Sequence, residues 1–379
     1  MIMDFTFNDD EIAFQDIAKK VSSEVLKDNA KYYDETREFC TESLKALGEL
    51  GFWGMNLPSD YDGVDISSIG MTLAVEEVAY HCAATCSSLT AHFLSTDSIL
   101  IGGTEQQRQD YLPRCAAGEL LGAFALTEPG AGSNPAEMRT KATRTEKGWH
   151  LTGTKHYITN GAYADFLVVY AMTDPDAGHK GISAFLVDSD NSGINYASPE
   201  KTLGLCGSHI YEISFDCVVP ESALLGKEGA GFSTAMEVLD RGRVEIAAMS
   251  LGIARAAYDD SILWSKERVV SGKPLCKHQG LQWMLAEMHT QLEAAKLVTY
   301  KAADARDTDQ RFSVESAVAK LFASETAAKI TDNAVQIHGG YGYISDLPIE
   351  RYYRDARITR IFEGTSEIQK LIIGRAITF

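Results

Sequence analysis

The sequence is short of basic residues. Its 379 residues include 35 lysines and arginines against 53 aspartates and glutamates, which gives a formal net charge of −18. Nucleic acids and anionic membrane surfaces bind basic faces, so neither is expected to be the main partner. A phosphate-bearing small molecule is still compatible with this charge, because a few backbone amides and arginines suffice to bind one.

Paired cysteines are also missing. The seven cysteines are scattered at positions 40, 82, 86, 115, 206, 217 and 276, and no two of them form a CxxC pair. Cys82 and Cys86 have no nearby set of cysteines or histidines that would complete a zinc site, so no metal site is predicted. We interpret the cysteines as buried thiols in a reducing compartment.

Long apolar runs are absent as well. No stretch is long enough to span a bilayer, so no membrane insertion is expected. The first residues, MIMDFTFNDDE, lack the basic and apolar regions of a secretory signal, and their acidity is unlike that of a transit peptide. We therefore expect a cytoplasmic protein, or a protein of the mitochondrial matrix if it is a processed form.

What is present is a change of residue pattern along the chain. Apolar residues recur at helical spacing up to about residue 115, and the small-residue-rich, apolar stretch 68–100 indicates a pair of buried helices. Short alternating runs rich in glycine, threonine, valine and tyrosine then continue to about residue 225 and predict β-strands.

Helical periodicity returns in the last part of the chain. The periodic stretches lie near 230–270, 278–306, 313–338 and 366–377, as in a four-helix bundle. The predicted fold class is α+β. The predicted domains are an N-terminal helical domain (1–118), a middle β domain (119–226) and a C-terminal four-helix bundle (227–379).

A glycine-rich segment, GAFALTEPGAGSNPAEMRT (122–140), lies where the first helical region meets the β region. Such a segment brings backbone amides and hydroxyls close to a flat or anionic ligand. An ordinary turn-rich loop has the same composition. The segment lacks the G-x-G-x-x-G spacing and a preceding strand, so it is not a dinucleotide-binding fingerprint of the Rossmann type.

Five segments, in order, resemble the acyl-CoA dehydrogenase family, and the resemblance covers the whole chain. They are LTEPGAGS with KHYITNG (126–133 and 155–161), DRGR (240–243), KERVVSGKPLCKHQGLQWMLAEM (266–288), QIHGGYGY (336–343) and YRDARITRIFEGTSEIQ (353–369). The family's fold has the same helical, β and helical-bundle order. The resemblance implies FAD, an acyl-CoA substrate, an electron-transfer flavoprotein as electron acceptor, and a homotetramer built as a dimer of dimers.

By this resemblance Glu363 is the catalytic base. Dehydrogenation removes the α-proton of an acyl-CoA thioester while the β-hydrogen leaves as hydride to flavin N5. Bulky Ile361 and Phe362 precede Glu363 and are expected to keep its surroundings dry, which raises the pKa of a carboxyl group. The family also implies that the base's own backbone N–H and a flavin ribityl hydroxyl hold the thioester oxygen.

The resemblance assigns further residues to the cofactor and the substrate. The flavin ring is expected beside Phe124, Leu126, Thr127, Ser133, Tyr157, Ile158 and Thr159. The rest of FAD is expected beside Arg268, Gln279, Gln336, Gly339, Gly340, Thr365 and Glu367, partly across a subunit interface. The acyl-CoA is expected beside Ser133, Asp240, Arg243 and Gly364. An alternative for Arg243 is a surface or salt-bridge arginine.

Several positions depart from the family pattern. They are Asn134 in place of a common aspartate, Ser271 in place of an aromatic residue, Tyr157 in place of tryptophan and Phe362 in place of tyrosine. Some members carry the base on the first bundle helix instead. The corresponding residue here is Gly242, so only the Glu363 arrangement is present. Glu245, which lies nearby, is interpreted as a residue of the helix face.

The expected substrate is a short or short branched-chain acyl-CoA. Members that act on dicarboxylic acyl groups use an arginine near residues 82–92, and CAATCSSLTAH contains none. His92 in this stretch is interpreted as a packed histidine. Altered chemistry stays open, as an enoyl-CoA reductase, an oxidase or a desulfinase-like enzyme. A non-catalytic flavin-binding paralog is a further alternative, which the presence of Glu363 disfavours.

Overall fold

The first part of the chain folds into helices. The computed structural model describes residues 6–308 and 311–378. The N-terminal α-helices are α1 (Asp9–Val21), α2 (Lys27–Thr36), α3 (Thr41–Glu49), α4 (Ser68–His81), α5 (Ala83–Gly102) and α6 (Glu105–Ala116). Asn8 and Glu11 form a reciprocal capping box that begins α1, and a short π-helix at Ser22–Leu26 leads into α2. The predicted pair of buried helices is α4 and α5.

Helices α4 and α5 are covered by the same bundle helix, and α5 is covered by a strand as well. Helix α4 packs on the long bundle helix α7 (Gly231–Glu267), and α5 packs on both α7 and the first strand of the sheet. The backbones of α4 and α7 approach closely at Gly252, where an added Cβ would lie 2.7 Å from the Cβ of Ala79. Both helices are therefore buried nearly all round, and their buried residues include small polar ones as well as apolar ones.

The middle of the chain forms one seven-stranded sheet. Its strands are β1 (Gly122–Ala125), β2 (Lys141–Thr145), β3 (Gly148–Thr159), β4 (Phe166–Met172), β5 (Ile182–Asp188), β6 (Ile194–Tyr196) and β7 (Ile210–Val219). The order is β1-β4-β2-β3-β7-β6, with β5 paired to β4. The register of β3 against β7 shifts between Lys155 and Ile158. This β-bulge re-aims the residues it contains.

The last part of the chain is a helical bundle. After α7 come a small hairpin and further helices: β8 (Val269–Val270), β9 (Lys273–Pro274), α8 (Gln279–Thr308), α9 (Ser313–His338), α10 (Gly340–Tyr343), α11 (Ile349–Ala356) and α12 (Ser366–Thr378). Helices α7, α8 and α9 pack on one another, and α11 and α12 pack on α9. The three long periodic stretches predicted from the sequence correspond to α7, α8 and α9, and the shorter last one corresponds to α12.

Short 3₁₀ segments connect these elements. They are Phe52–Gly54, Ser59–Tyr61, Pro135–Glu137, Gly161–Tyr163, Pro175–Gly181, Glu221–Ala223, Leu275–Lys277 and Arg357–Arg360. Six of the seven cysteines are buried and all are free, whereas Cys276 is half-buried. Across residues 6–308 and 311–378 no helix has the length and apolarity to cross a membrane. The same ranges contain no cluster of histidine, cysteine, aspartate and glutamate that could hold a metal ion.

Candidate active site

The backbone at Glu363 is in the left-handed conformation. Its φ is 52°, and Gly364 follows with a φ of 94°. A non-glycine residue in this region is strained by about 1–2 kcal/mol, so its surroundings must hold it. The side-chain amide of Gln369 donates to the carbonyls of Glu363 (3.3 Å) and Gly364 (2.8 Å), and the Lys320 ammonium donates to the Gly364 carbonyl at 2.6 Å.

The carboxyl group of Glu363 lies against the backbone of α7. A Cβ added to Gly242 would overlap Glu363 Oε2 and would lie 2.7 Å from Leu94 Cδ2 on α5. Glu363 as a residue is half-buried, but its Oε2 is closed to solvent and has no hydrogen-bond partner within the described ranges. Burial, with help from the negative charge of Glu245, raises the pKa of Glu363 to about 8, and Lys320 and Arg243 oppose this rise.

The dry surroundings of Glu363 have a different origin from the one expected. Ile361 is 46% exposed, and Phe362 is half-buried against the bundle core. The expectation that these two residues exclude water is therefore wrong for Ile361. Leu94 and the bare backbone at Gly242 close the carboxyl group off instead. They come from α5 and α7, which are far from Glu363 in sequence.

Arg243 is a buried ion-pair arginine. Its guanidinium contacts the carboxylate of Asp240 one turn earlier on α7, and Ser313 at the start of α9 also donates to Asp240. Arg243 Nε is buried with no hydrogen-bond partner among the residues described. Burial lowers the pKa of Arg243 and raises the pKa of Asp240. Arg243 is therefore not a surface arginine, but it does form a salt bridge, with Asp240.

Glu245 is not a residue of the exposed helix face, so that interpretation is wrong. It is buried on α7, and Arg306 of α8 donates to its carboxylate at 3.1 Å. Arg306 also faces the buried Asp97 of α5 at 3.8 Å. Burial raises the pKa of Glu245. The partner Arg306 is distant in sequence, so local periodicity could not reveal this pair.

Lys320 was missed by the sequence reasoning. It lies on α9, is fully buried, and reaches the carbonyl that follows Glu363. Burial lowers the pKa of Lys320 to about 8, although the charge of Glu363 acts in the opposite direction. A signal was available, because Lys320 lies between Ala317 and Ala323 on the apolar stripe of α9. A charged residue on such a stripe needs a partner.

The glycine-rich segment after β1 is tied to the bulge of β3 by a second buried lysine. The ammonium of Lys155 donates to the Leu126 carbonyl (2.9 Å) and to Glu128 Oε1 (2.8 Å). Glu128 in turn accepts from the backbone N–H groups of Arg139 (2.6 Å) and Thr140 (2.9 Å). The loop is therefore anchored at both ends by one buried ion pair.

The bulge presents an aromatic ring to solvent. Tyr157 has a φ of 59° and is 58% exposed, and its ring stacks on His156 with centroids 3.9 Å apart. Next to it, the Thr127 carbonyl accepts from the His156 N–H at 2.8 Å, which places the two segments side by side. Ile158 is buried and Thr159 is half-buried.

The other residues assigned to the flavin loop differ in exposure. Phe124 is half-buried against Tyr170, with ring centroids 5.1 Å apart, whereas Leu126 is buried. Ser133 is exposed. An added Cβ at Gly130 or at Gly132 would meet no atom within 4 Å, which leaves this part of the loop open. An exposed ring beside an open loop fits a flat aromatic ligand such as a flavin.

The residues assigned to the rest of FAD lie on the surface at the ends of the bundle helices. Arg268 follows α7, with its guanidinium 6.0 Å from the Trp264 ring and 5.7 Å from the Tyr341 ring. The other exposed members of this set are Gln279, Gln336, Gly339, Gly340 and Glu367. Thr365 is half-buried, and its hydroxyl accepts from the Ile368 N–H at 3.3 Å. Such a surface can accept the polar part of a dinucleotide.

Two departures from the family pattern have local explanations. The side-chain amide of Asn134 donates to Glu137 at 2.8 Å and so stays within its own loop. Ser271 occupies the turn of the β8–β9 hairpin with a φ of 51°, a conformation that small or polar residues tolerate better than aromatic ones. His92 is buried as expected: its Nδ1 accepts from the Gly122 N–H at 3.0 Å, and burial lowers its pKa to about 3.

A cavity of about 720 Å³ lies away from Glu363. It is bounded by α2, the end of α4, α7 and residues 345–352, and its lining includes Lys27, His81 and Arg351. None of the residues assigned above to substrate or cofactor lines it. The candidate active site is therefore defined by the buried carboxyl group over Gly242 and by the bulge and loop of the β region.

Three family models match the chain and together cover most of it. Residues 8–119 match the N-terminal domain of acyl-CoA dehydrogenases, residues 123–218 match the middle domain, and residues 229–378 match the C-terminal domain.

Known proteins match over the full length of the chain. The acryloyl-CoA reductase (NADH) of Anaerotignum propionicum is 41% identical over 99% of this chain and 96% of its own. The structure of butyryl-CoA dehydrogenase from Megasphaera elsdenii superposes with a TM-score of 0.97 at 39% identity and covers all of both chains.

A flavin is present in a solved relative. Glutaryl-CoA dehydrogenase from Mycobacterium smegmatis in complex with FADH2 has a TM-score of 0.93 at 32% identity, covering 98% of this chain and 95% of its own. These matches confirm the predicted fold, with a helical N-terminal, a β-sheet middle and a helical C-terminal domain. The chain therefore belongs to the acyl-CoA dehydrogenase family, oxidoreductases that act on CH–CH donors.

Proposed function

We propose that this protein catalyses the FAD-dependent α,β-dehydrogenation of a short acyl-CoA to the 2-enoyl-CoA, with Glu363 as the base. The observation that carries this proposal is the buried, unpaired Oε2 of Glu363 over Gly242. Burial of a carboxylate without a hydrogen-bond partner costs free energy, which indicates that the group is kept for its function. This chain belongs to the acyl-CoA dehydrogenase family, whose reaction requires a base to accept the α-proton.

The environment of Glu363 suits proton abstraction near neutral pH. A general base works best when its pKa lies near the operating pH, and burial raises the pKa of Glu363 to about 8. No hydrogen-bond donor among the described residues contacts Oε2, so this oxygen is available to accept the α-proton of a thioester. Bound FAD would supply the acceptor for the hydride that leaves the β-carbon.

Cofactor binding is proposed to use the two surfaces described above. The exposed ring of Tyr157 and the open loop around Ser133 would hold the flavin, and the buried Ile158 would contribute through its backbone. The flavin residues are Phe124, Leu126, Thr127, Ser133, Tyr157, Ile158 and Thr159. The residues proposed for the rest of FAD are Arg268, Gln279, Gln336, Gly339, Gly340, Thr365 and Glu367. All of them except the half-buried Thr365 are exposed, which supports a ligand that extends across the surface.

The acyl-CoA is proposed to contact Ser133, Asp240, Arg243 and Gly364. Arg243 is buried and its partner Asp240 is half-buried, and the two flank Gly242 on α7, which supports a place near the reacting carbon. A short acyl group is supported by the likeness to butyryl-CoA dehydrogenase. The absence of arginine from residues 82–92 supports a substrate without a second carboxylate.

A reductase acting toward saturation is the second candidate, because the 41% likeness to an acryloyl-CoA reductase favours it as strongly as the 39% likeness favours a dehydrogenase. Glu363 would accept the α-proton in dehydrogenation and would donate it in the reverse reaction, reduction of the enoyl-CoA. Nothing in the described residues favours an oxidase, a desulfinase-like enzyme or a binding-only role.

The test is an anaerobic titration of the flavin absorbance with propionyl-, butyryl-, isobutyryl-, isovaleryl-, octanoyl- and glutaryl-CoA. We expect a short, neutral acyl-CoA to bleach the oxidised band. The Glu363→Gln variant should keep FAD and bind the same ligand, but lose roughly 10²–10⁴-fold in the rate of bleaching. A wild-type rate in that variant removes the base assignment.

The reductase candidate has its own measurement. The protein is mixed with acryloyl-CoA and NADH, and consumption of both is followed. Consumption of NADH without bleaching by any acyl-CoA would replace the dehydrogenase proposal by the reductase. A protein that cannot be reconstituted with FAD contradicts both.

The family also leads us to propose an electron-transfer flavoprotein as electron acceptor, a homotetramer and a cytoplasmic location. Exposed apolar side chains on the bundle, such as Trp283 (62% exposed) and Tyr343 (84%), support association with further subunits. Sedimentation of the purified protein tests the tetramer, and a monomer at micromolar concentration would contradict it.

A further inference from the structure

Lys320 is a charged side chain in the middle of an apolar helix face. It is fully buried on α9, and its ammonium donates a 2.6 Å hydrogen bond to the carbonyl of Gly364. A buried ammonium is costly, and a leucine or methionine would fill the same space without that cost. The position of the charge therefore calls for an explanation beyond packing.

The charged groups around Lys320 come from three elements. Arg243 acts on it from α7, Glu325 from its own helix, Glu367 from the first turn of α12, and Glu363 from the turn just before α12. Within residues 6–308 and 311–378 no carboxylate lies within 4.0 Å of the ammonium, so the carbonyl of Gly364 is its direct contact. The nearby charge that raises the pKa of Lys320 most is that of Glu363.

The same interaction is visible from the side of Glu363. Glu245 on α7 raises the pKa of Glu363, while Lys320 and then Arg243 lower it. The hydrogen bond to Gly364 acts one residue beyond Glu363, where the backbone is left-handed. Lys320 is thus placed to hold the base mechanically and to favour its ionised form electrostatically.

We propose that Lys320 is a positioning residue for the base: its ammonium fixes the Gly364 carbonyl, which sets the left-handed turn that directs the Glu363 carboxylate over Gly242, and its charge favours the carboxylate form that accepts the α-proton. This inference rests on the proposed role of Glu363. It adds a residue on a different helix that acts through Glu363 and does not touch the substrate.

Two substitutions separate the hydrogen bond from the charge. Lys320→Met has a similar length and removes both, whereas Lys320→Gln removes the charge and retains a donor for the Gly364 carbonyl. The matched control is Lys329→Met, an exposed lysine on the same helix. The reductive half-reaction with butyryl-CoA is followed by stopped-flow from pH 6 to 10 in each variant. Infrared difference spectra against Glu363→Gln report protonation of the Glu363 carboxyl without turnover.

Loss of the Lys320 cation should favour the neutral form of Glu363. In both Lys320 variants we expect the acidic limb of the rate profile, and the infrared titration, to move up by about one pH unit. In Lys320→Met alone we expect a further loss of roughly tenfold or more in the limiting rate, with KM little changed, because the base is misplaced. Lys329→Met should leave all of these unchanged.

The outcomes distinguish this inference from the proposed function. If Lys320→Gln, which retains a donor in the core, titrates as the wild type does, Lys320 has no electrostatic role and the inference is overturned. A full rate in Glu363→Gln would instead remove the base itself, whatever the Lys320 variants do. Loss of rate in Lys320→Met with an unmoved titration in both variants would reduce Lys320 to a packing residue.

Discussion

At the scale of single residues, the position of the Glu363 carboxyl group depends on the absence of a Cβ atom at Gly242. The carboxyl group occupies the space that any side chain at position 242 would need. In this chain a side chain at position 242 and the carboxyl group of Glu363 cannot both occupy that space. The sequence showed Gly242 and Glu363 separately, and the structure shows why they occur together.

Gly242→Ala tests this dependence. The added Cβ would overlap Glu363 Oε2 and crowd Leu94, so the carboxyl group must move. We expect a loss of about 10²-fold in the rate of flavin bleaching by butyryl-CoA, because small displacements of a catalytic group are costly. The control is Gly374→Ala on α12, where an added Cβ meets no atom within 4 Å. An unchanged rate in Gly242→Ala would show that the carboxyl group works from another position.

Glu363 itself was easier to predict from the sequence than the groups that surround it. The motif around Glu363 predicted which acidic residue is the candidate base, and the buried carboxyl group of Glu363 agrees with the water-excluded site that was expected. Three features were not predicted: the groups that exclude water from Glu363, the ion pair of Glu245, and the contact of Lys320 with Gly364. Each depends on a residue from another helix, and periodicity within one helix says which face is buried but not what it meets.

At the scale of secondary-structure elements, the Lys155–Glu128 pair joins the strand that carries Tyr157 to the loop after β1. Burial lowers the pKa of Lys155 to about 8, yet the adjacent carboxylate keeps the pair ionic. The pair also satisfies the N–H groups of Arg139 and Thr140, where the loop re-enters the sheet. Two segments proposed to hold the flavin are thus fixed relative to each other.

Lys155→Met should therefore affect both stability and flavin binding. Removing one partner of a buried pair leaves Glu128 uncompensated, which costs about 3–5 kcal/mol. We expect a lower midpoint in urea and a shifted or weakened flavin absorption spectrum. The double variant with Glu128→Gln should recover part of the stability, because the unpaired charge is gone. A wild-type urea midpoint and spectrum in Lys155→Met would show that the pair fixes nothing.

The elements themselves were largely predictable. The run GWHLTGTKHYIT coincides with β3, and the periodic stretches of the bundle match α7, α8, α9 and α12 within a few residues. The strand order and the bulge at Tyr157 were not predicted. Alternation shows that a run is a strand, but its neighbours in the sheet are chosen by long-range contacts that leave no local pattern.

At the scale of the whole molecule, the proposed dinucleotide residues are exposed, except for the half-buried Thr365. Arg268, Gln279, Gln336, Gly339 and Gly340 come from the ends of three bundle helices and lie at the surface. The order of the motifs predicted the three-part fold, which is confirmed. The assembly that would cover this surface stays a prediction, because one chain shows which side chains are exposed but not what meets them.

Arg268→Ala addresses the ligand of this surface. We expect weaker retention of FAD through gel filtration, by about 10- to 100-fold in the dissociation constant, since one charge-assisted contact is worth about 1.5–3 kcal/mol. The ratio of flavin to protein absorbance measures it. Arg114→Ala removes an exposed arginine that pairs with Glu119 at 3.5 Å and should change nothing. Equal flavin content in both variants would refute the assignment of Arg268.

The N-terminal helices and the C-terminal bundle share one hydrophobic core, which runs from Phe14 through α4 and α7 to Ala356. This has a consequence for synthesis on the ribosome. Helix α4 emerges with its apolar surface complete, but α7, which covers it, follows about 150–200 residues later. At about 5–20 residues per second that delay is on the order of ten seconds. During this time the nascent chain exposes an apolar helix pair, and we expect a chaperone to bind it there.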